Sequence, residues 1–354
     1  MSRKLFLLLL ICLAFNLIVT SNIFACVGAR PLAMGGAFVG VADDANAVYW
    51  NPAGLTQLED VQFTYTPTLY DRDEVNYDDF VSLVFPLELE GDKVSLGISF
   101  VNSGHNLVSD EVIDRWVWLS YAVQLPGNLS LGTNLRYRDY EWKINEGYML
   151  SGTSVTGPIK DSDNSVGIDL SLFWKWDKLS AGLLWQDINE PEFNFFDDRF
   201  TLKYARNLRP GLAFRPDEKT ILSVELYDIA SRTSDSNNNL RLGAERWFDL
   251  PAEGAKIALR AGGYDINDDL NRAITGGIGC EFGQNDKWPM TFSIDYAAMY
   301  WTDAPSSTED WTHMLGFKVS FPWDFSAKAK VGKEITGTVM EIKVIEETEV
   351  DELK

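Results

Sequence analysis

Residues 166–176 read Val-Gly-Ile-Asp-Leu-Ser-Leu-Phe-Trp-Lys-Trp, an alternation of apolar residues with small or polar ones. Successive side chains of a β-strand point to opposite faces, so a period of two predicts a strand with one apolar and one polar face. Lys93–Ser103 and Leu315–Trp323 repeat the pattern. The chain is therefore predicted to be an all-β protein built from many two-faced strands.

Fourteen such segments follow one another: 60–70, 78–87, 93–103, 113–125, 128–141, 165–177, 179–188, 206–215, 219–229, 239–248, 255–265, 272–283, 289–300 and 311–323. Short turns such as Pro126-Gly127 and Asp177-Lys178 alternate with longer connections, the longest at about 142–164 and 189–205. An even strand count, with short turns on one rim and long loops on the other, is typical of outer-membrane barrels and unlike a soluble β-sandwich. We predict a transmembrane antiparallel β-barrel of about 14 strands in the bacterial cell outer membrane.

Ten of the 12 tryptophans fall near the ends of these segments. Trp116, Trp142, Trp185, Trp301 and Trp311 lie at the long-loop rim, and Trp174, Trp176, Trp247, Trp288 and Trp323 at the short-turn rim. Indole rings favour the membrane interface, so the pattern predicts two aromatic girdles. The alternative is that aromatic residues simply favour strands.

The polar face of the strands should line the lumen. Its candidate residues carry both signs of charge, which predicts pairing across the lumen rather than an ion pore: Asn134, Arg136, Arg138, Asp169, Glu225, Arg241, Glu245, Lys256, Arg260, Asp295 and Lys318.

The N-terminus is typical of a secretory signal peptide, because Arg3 and Lys4 precede a short apolar run and Ala25 precedes Cys26. Residues 1–25 are therefore predicted to be removed. Two alternatives stay open: an uncleaved anchor, although the run is short for a membrane helix, and a lipoprotein signal with the lipid on Cys26.

Composition excludes several functions. With 52 acidic and 31 basic residues the net charge is −21, which argues against binding to nucleic acid. Three cysteines give no disulfide framework. His105 and His313 stand far apart, and no Gly-x-Ser-x-Gly motif or histidine–cysteine cluster occurs. We predict no catalytic residue, no metal site and no cofactor, and thus not an enzyme.

Residues 26–58 do not alternate. Small residues allow close backbone approach, and Gly35-Gly36 permits a sharp bend. This segment is predicted to be a small N-terminal plug inside the barrel, which would span residues 59–323. Its key residues are Met34, Gly35, Gly36, Asp43, Asp44, Asn51, Pro52 and Gly54.

Three motifs in this segment carry a family resemblance: Met34-Gly35-Gly36-Ala37-Phe38, Ala42-Asp43-Asp44-Ala45 and Trp50-Asn51-Pro52-Ala53-Gly54-Leu55. They resemble the N-terminal signature of the FadL-like outer-membrane protein superfamily, especially its PorV/PorQ branch. The resemblance implies the same barrel size, with the third and fourth outer loops over the mouth. The chain departs from the family pattern in its charged tail, residues 324–354, which follows the last strand. We expect the tail in the periplasm, as a solvated extension or a docking segment.

The resemblance implies two functions. The first is transport of a hydrophobic small molecule across the outer membrane; the alternative is a PorV-like role in type IX secretion, receiving cargo proteins. A purely structural barrel is a third option. Apolar residues in two outer loops are candidates for ligand capture, or else pack on each other: Tyr148, Met149, Leu150, Phe193, Phe195 and Phe196. The expected partners are outer-membrane lipid and either a hydrophobic small molecule or secreted cargo.

Overall fold

The computed structural model describes residues 27–70, 76–89, 91–106, 110–145, 149–150, 153–154, 157–229, 239–252, 254–268, 272–285, 288–302 and 311–322. The predicted signal peptide and tail lie outside these residues. No helix in the described ranges is long and apolar enough to span a membrane.

Fourteen strands form the barrel wall: β1 (Val61–Tyr70), β2 (Asn76–Leu89), β3 (Asp92–Asn106), β4 (Asp110–Leu125), β5 (Leu129–Ile144), β8 (Ile159–Trp176), β9 (Leu179–Gln186), β12 (Asn207–Phe214), β13 (Thr220–Tyr227), β14 (Asn239–Asp249), β15 (Ala255–Tyr264), β16 (Ala273–Asn285), β17 (Trp288–Trp301) and β18 (Trp311–Phe321). Two hairpins lie in the long loops: β6 (Met149–Leu150) with β7 (Thr153–Ser154), and β10 (Glu192–Phe195) with β11 (Phe200–Lys203).

The wall is closed and antiparallel throughout, with the first strand paired to the last from Val61–Phe321 to Tyr70–His313. A closed sheet has no edge, so its wall strands need no hydrogen bonds from lipid. The predicted fourteen-strand barrel is therefore confirmed.

Loop lengths segregate as expected, but one boundary prediction was wrong. Strands β5 and β8 pair as far as Ile144–Ile159, so much of the predicted loop 142–164 is strand. On this side the wall continues beyond its apolar belt, where the outward-facing pair Arg115–Asp139 (3.2 Å) is half-exposed. The period-two signal fades there because both faces carry polar residues.

The aromatic girdles are only partly present. Trp174, Trp176, Trp185 and Trp311 point outward and are 41–64% exposed. Trp116, Trp142, Trp247 and Trp301 instead contact lumenal side chains, so placing them in a girdle was wrong. Each of these four tryptophans stands at an alternate position of its strand whose side chain points inward. Its position near a strand end does not show which face it occupies. The side chains of Trp288 and Trp323 lie outside the described part of the chain.

The N-terminal segment (residues 27–58) contains two short helices, Ala29–Ala33 and Ala47–Trp50, and a 3₁₀-helix, Pro52–Gln57. Nearly all of it is buried. It bonds to β3 through the Ser95 hydroxyl, which donates to the Leu55 carbonyl (2.9 Å), and to β14 through Arg30 and Glu245 (2.8 Å). These two strands lie on opposite sides of the closed wall, so the segment lies within the barrel.

Candidate functional site

The candidate site is the lumen together with the N-terminal segment. Backbone groups of the segment bond directly to inward-facing side chains. The Glu225 carboxylate accepts the N–H groups of Phe38 and Val39, both at 3.0 Å. The Asn51 amide donates to the carbonyls of Val39 and Leu172, also at 3.0 Å. These bonds satisfy backbone groups that would otherwise be buried without partners.

Five inward-facing wall glycines, which we call the glycine belt, touch the backbone of the segment. A Cβ added to any of them would lie 2.0–2.8 Å from a backbone atom of the segment; the five are Gly132, Gly182, Gly211, Gly243 and Gly262. The closest approach is at Gly182, 2.0 Å from the Val39 carbonyl oxygen. The wall is therefore shaped to hold this backbone, a feature that the sequence reasoning missed. The sequence does contain an indication of this feature, because a glycine within a strand often marks a close approach of another backbone segment.

The predicted plug residues occupy varied positions in the segment. Met34, Asn51, Pro52 and Gly54 are buried, and the Cβ that Gly54 lacks would lie 2.4 Å from the Ala42 carbonyl. Gly35 and Gly36 have φ angles of +64° and +68°, a left-handed region that favours glycine. Gly35 fits against Leu242 and Gly263 of the wall, and Gly36 against the rings of Tyr264 and Trp50.

Asp43 and Asp44 belong to an ion network centred on Arg30. One guanidinium nitrogen of Arg30 contacts Asp43 at 2.7 Å and Asp44 at 2.8 Å, while Nε contacts Glu245 at 2.8 Å. Glu245 also pairs with Arg260 at 2.6 Å, and both side chains are fully buried. Buried ions need such partners because removal from water is costly. The network thus ties the segment to the wall through charge.

The pKa of Asp43 reflects this setting. Burial raises it, but the charges of Arg30 and Arg215 outweigh burial and hold the pKa below its usual value. Arg215 reaches Asp43 at 3.1 Å from the strand-connecting turn after β12. The carboxylate is therefore kept ionised at the periplasmic side of the segment.

Further ion pairs line the lumen, but they join neighbouring strands of the wall, so the prediction that they would pair across the lumen was wrong. Arg209–Glu225 and Arg241–Asp265 meet at 2.6 Å, Arg136–Asp169 at 2.8 Å, and Arg138 contacts Asp114. The eleven residues predicted to line the lumen all stand at inward-facing positions of their strands. Two of them, Lys256 and Lys318, lie 3.6 and 3.9 Å from Glu281. Because charges of both signs are paired, the described side chains do not form a continuous path of one charge sign that could guide ions through the lumen.

The second predicted capture loop, which contains Phe193, Phe195 and Phe196, packs on the barrel wall. Phe193 and Phe195 are 0% exposed, because the β10–β11 hairpin packs on the inward-facing rings of Tyr140 and Trp142. Phe196 is half-buried and also contacts Trp142 (5.8 Å). The rings of Phe193 and Phe195 are therefore packed against the wall rather than exposed to solvent. A role in capture stays a prediction.

The structure describes less of the other predicted capture loop, which contains Tyr148, Met149 and Leu150. Met149 and Leu150 form β6, paired with Ser154 and Thr153 of β7. Their side chains and the whole of Tyr148 lie outside the described part of the chain. Within the described ranges, no group of three or more His, Cys, Asp or Glu residues is arranged to hold a metal ion.

Comparison with known proteins shows which family has this architecture. A family model described as the type IX secretion system membrane protein PorP/SprF matches residues 46–319. No curated protein matches the chain. The PorV/PorQ branch, suggested by the N-terminal motifs, is not the family matched, and membership of that branch stays a prediction.

Solved structures share the fold at low sequence identity. A FadL homologue of Pseudomonas aeruginosa is 10% identical, with a TM-score of 0.56 over 86% of this chain and 100% of that one. A deltaS2 mutant of the monoaromatic hydrocarbon channel TodX is 12% identical, with a TM-score of 0.54 over 84% and 99%. At these identities the solved structures show a shared barrel fold, and the matched family is one of secretion-system membrane proteins rather than of enzymes. The chain belongs to the PorP/SprF family of type IX secretion system membrane proteins and is a β-barrel of the bacterial outer membrane.

Proposed function

We propose that the protein is a closed outer-membrane component of a type IX secretion apparatus, which receives secreted cargo proteins and does not conduct solutes through its lumen. The observation that carries the proposal is the fit between the N-terminal segment and the barrel wall. The glycine belt meets its backbone, and Arg30 ties it to Glu245. A water-filled pore needs a clear polar channel, and a packed segment removes it.

The energetics support a segment that stays in place. Withdrawing it would break the buried contact between Arg30 and Glu245 and leave Glu245 with Arg260 as its remaining partner. The bonds from Glu225 to Phe38 and Val39 would break as well. A secretion component that acts through contacts with other proteins at the membrane surface does not need an open lumen.

Transport of a hydrophobic small molecule is the second candidate. The observation that favours it is the aromatic cluster at the outer mouth, where Phe195, Phe196 and Phe200 surround Trp142. A ligand would have to displace part of this cluster before entering. The apolar outer surface, with residues such as Leu119 and Ile274 more than half exposed, fits outer-membrane lipid in either case.

A deletion strain separates the two functions. Without the protein, we expect secreted proteins with sorting domains to fail to reach the cell surface, while uptake of a hydrophobic compound is unchanged. Complementation with the unaltered chain and with Phe195→Ser/Phe196→Ser should restore secretion equally. Normal secretion combined with lost uptake would overturn the proposal and favour transport.

A further inference from the structure

A cavity of about 330 Å³ opens at the short-turn rim, beneath the end of the N-terminal segment. Strands β3, β4, β5 and β8 supply five of its ten lining residues, and the other five are Thr56, Gln57, Glu59 and the turn residues Asn128 and Asp177. Short turns of outer-membrane barrels face the periplasm, so the cavity faces that compartment. Its volume is at the lower end of the roughly 300–1,000 Å³ of ligand sites, which suits a short extended segment rather than a folded domain.

Four charged side chains line this cavity: Glu59, Lys93, Lys175 and Asp177. Within the described ranges none of them has an oppositely charged partner within 4.0 Å, whereas charges elsewhere on the same rim, such as Lys219 and Asp249, are paired. Among the described residues, the Lys175 ammonium donates to the Gln57 amide oxygen at 3.5 Å. The cavity thus offers unpaired charges of both signs around the buried ring of Phe173.

The chain itself carries a segment of matching chemistry. Five acidic residues occur between Glu346 and Glu352, and Lys343 and Lys354 flank them. The last strand ends at Phe321, on the same rim as the cavity. From β18 the cavity is three to six strands away around the wall, about 14–29 Å at 4.8 Å per strand. The tail could reach on the order of 100 Å when extended, at roughly 3.3 Å per residue.

We propose that the acidic end of the tail, Glu346–Glu352, binds in this cavity, with its carboxylates on Lys93 and Lys175. The flanking lysines would then lie near Glu59 and Asp177. This interaction would hold the protein's own C-terminal residues at the periplasmic rim of the barrel. It concerns one chain alone and is independent of whether the barrel serves secretion or transport.

The test is photo-crosslinking in the purified full-length protein. A benzoylphenylalanine at Gln124, which lines the cavity, should form an intramolecular crosslink to a peptide within residues 341–354, identified by mass spectrometry. The yield should not depend on protein concentration. It should fall about tenfold in Lys93→Glu/Lys175→Glu, and also when salt rises from about 0.01 M to 1 M, where the Debye length shrinks from roughly 30 to 3 Å.

Lys219→Glu is the matched control, because it reverses a charge on the same rim outside the cavity. It should leave the crosslink unchanged. A heat-modifiable gel shift reports whether each variant retains the folded barrel, and the unaltered full-length chain provides the reference. No crosslink to the tail, or a crosslink equally strong in folded Lys93→Glu/Lys175→Glu, would overturn the proposal. A crosslink in cells that joins Gln124 only to another protein would do so too.

Discussion

The glycine belt predicts that a single methyl group on the barrel wall destabilises the protein. In Gly182→Ala the new Cβ would lie 2.0 Å from the Val39 carbonyl oxygen and 2.7 Å from the Asn51 amide nitrogen. Neither is the free end of a flexible side chain, because Asn51 is held by the carbonyls of Val39 and Leu172. The segment must therefore shift, and such overpacking costs about 1–3 kcal/mol.

Gly276→Ala is the matched control, since it also adds a methyl to a wall glycine. There the nearest atom is 3.6 Å away, an ordinary contact. Urea unfolding in detergent, followed by tryptophan fluorescence, should give a lower free energy of unfolding for Gly182→Ala. Gly276→Ala should stay within about 0.5 kcal/mol of the unaltered protein. Equal stability of the two variants would refute a tight fit between wall and segment.

Three further predictions concern the segment and the topology. Gly36→Val should destabilise the barrel, because φ is +68° and the Tyr264 ring lies 3.1 Å from the added Cβ; unchanged unfolding would argue against the described conformation. Asp43 has a lowered pKa in the folded state, so its contribution is present above its ordinary pKa near 3.8 and is lost as pH falls through the lower folded value. Asp43→Asn should therefore flatten the stability–pH curve below that pH, and a curve identical to that of the unaltered protein would exclude this role. Tags at Asn189–Pro191 should be reachable on intact cells and tags at Pro126-Gly127 should not; the reverse pattern would mean an inverted orientation.

Much of the barrel could be predicted because the period-two pattern is a local property of each strand. The stretch from Val166 to Trp176 alternates, and β8 presents its apolar side chains outward there. Arg209 was not among the residues predicted to line the lumen, because the adjacent Pro210 obscures the alternating pattern. In the structure Arg209 is fully buried and paired with Glu225. Strand existence was therefore easier to predict than the partner of each inward-facing side chain.

The site could be predicted only in part, because its contacts join residues far apart in sequence. Small residues in the N-terminal segment indicated close packing, yet nothing local shows that Val39 meets Gly182 or that Arg30 meets Glu245. The packing of the aromatic loop could not be predicted for a related reason. Phe193 and Phe195 look exposed in a polar loop, but a hairpin turns them onto Tyr140 and Trp142. Register and hairpin geometry decide such contacts, and hydropathy alone does not.

The most direct test of the central claim is conductance in a planar lipid bilayer. The purified full-length protein is inserted and the current across single molecules is recorded at fixed voltage and salt. A lumen filled by residues 27–58 and lined by paired charges predicts no large, steady ion current from the unmodified protein. A large and steady conductance would contradict the account of a closed barrel.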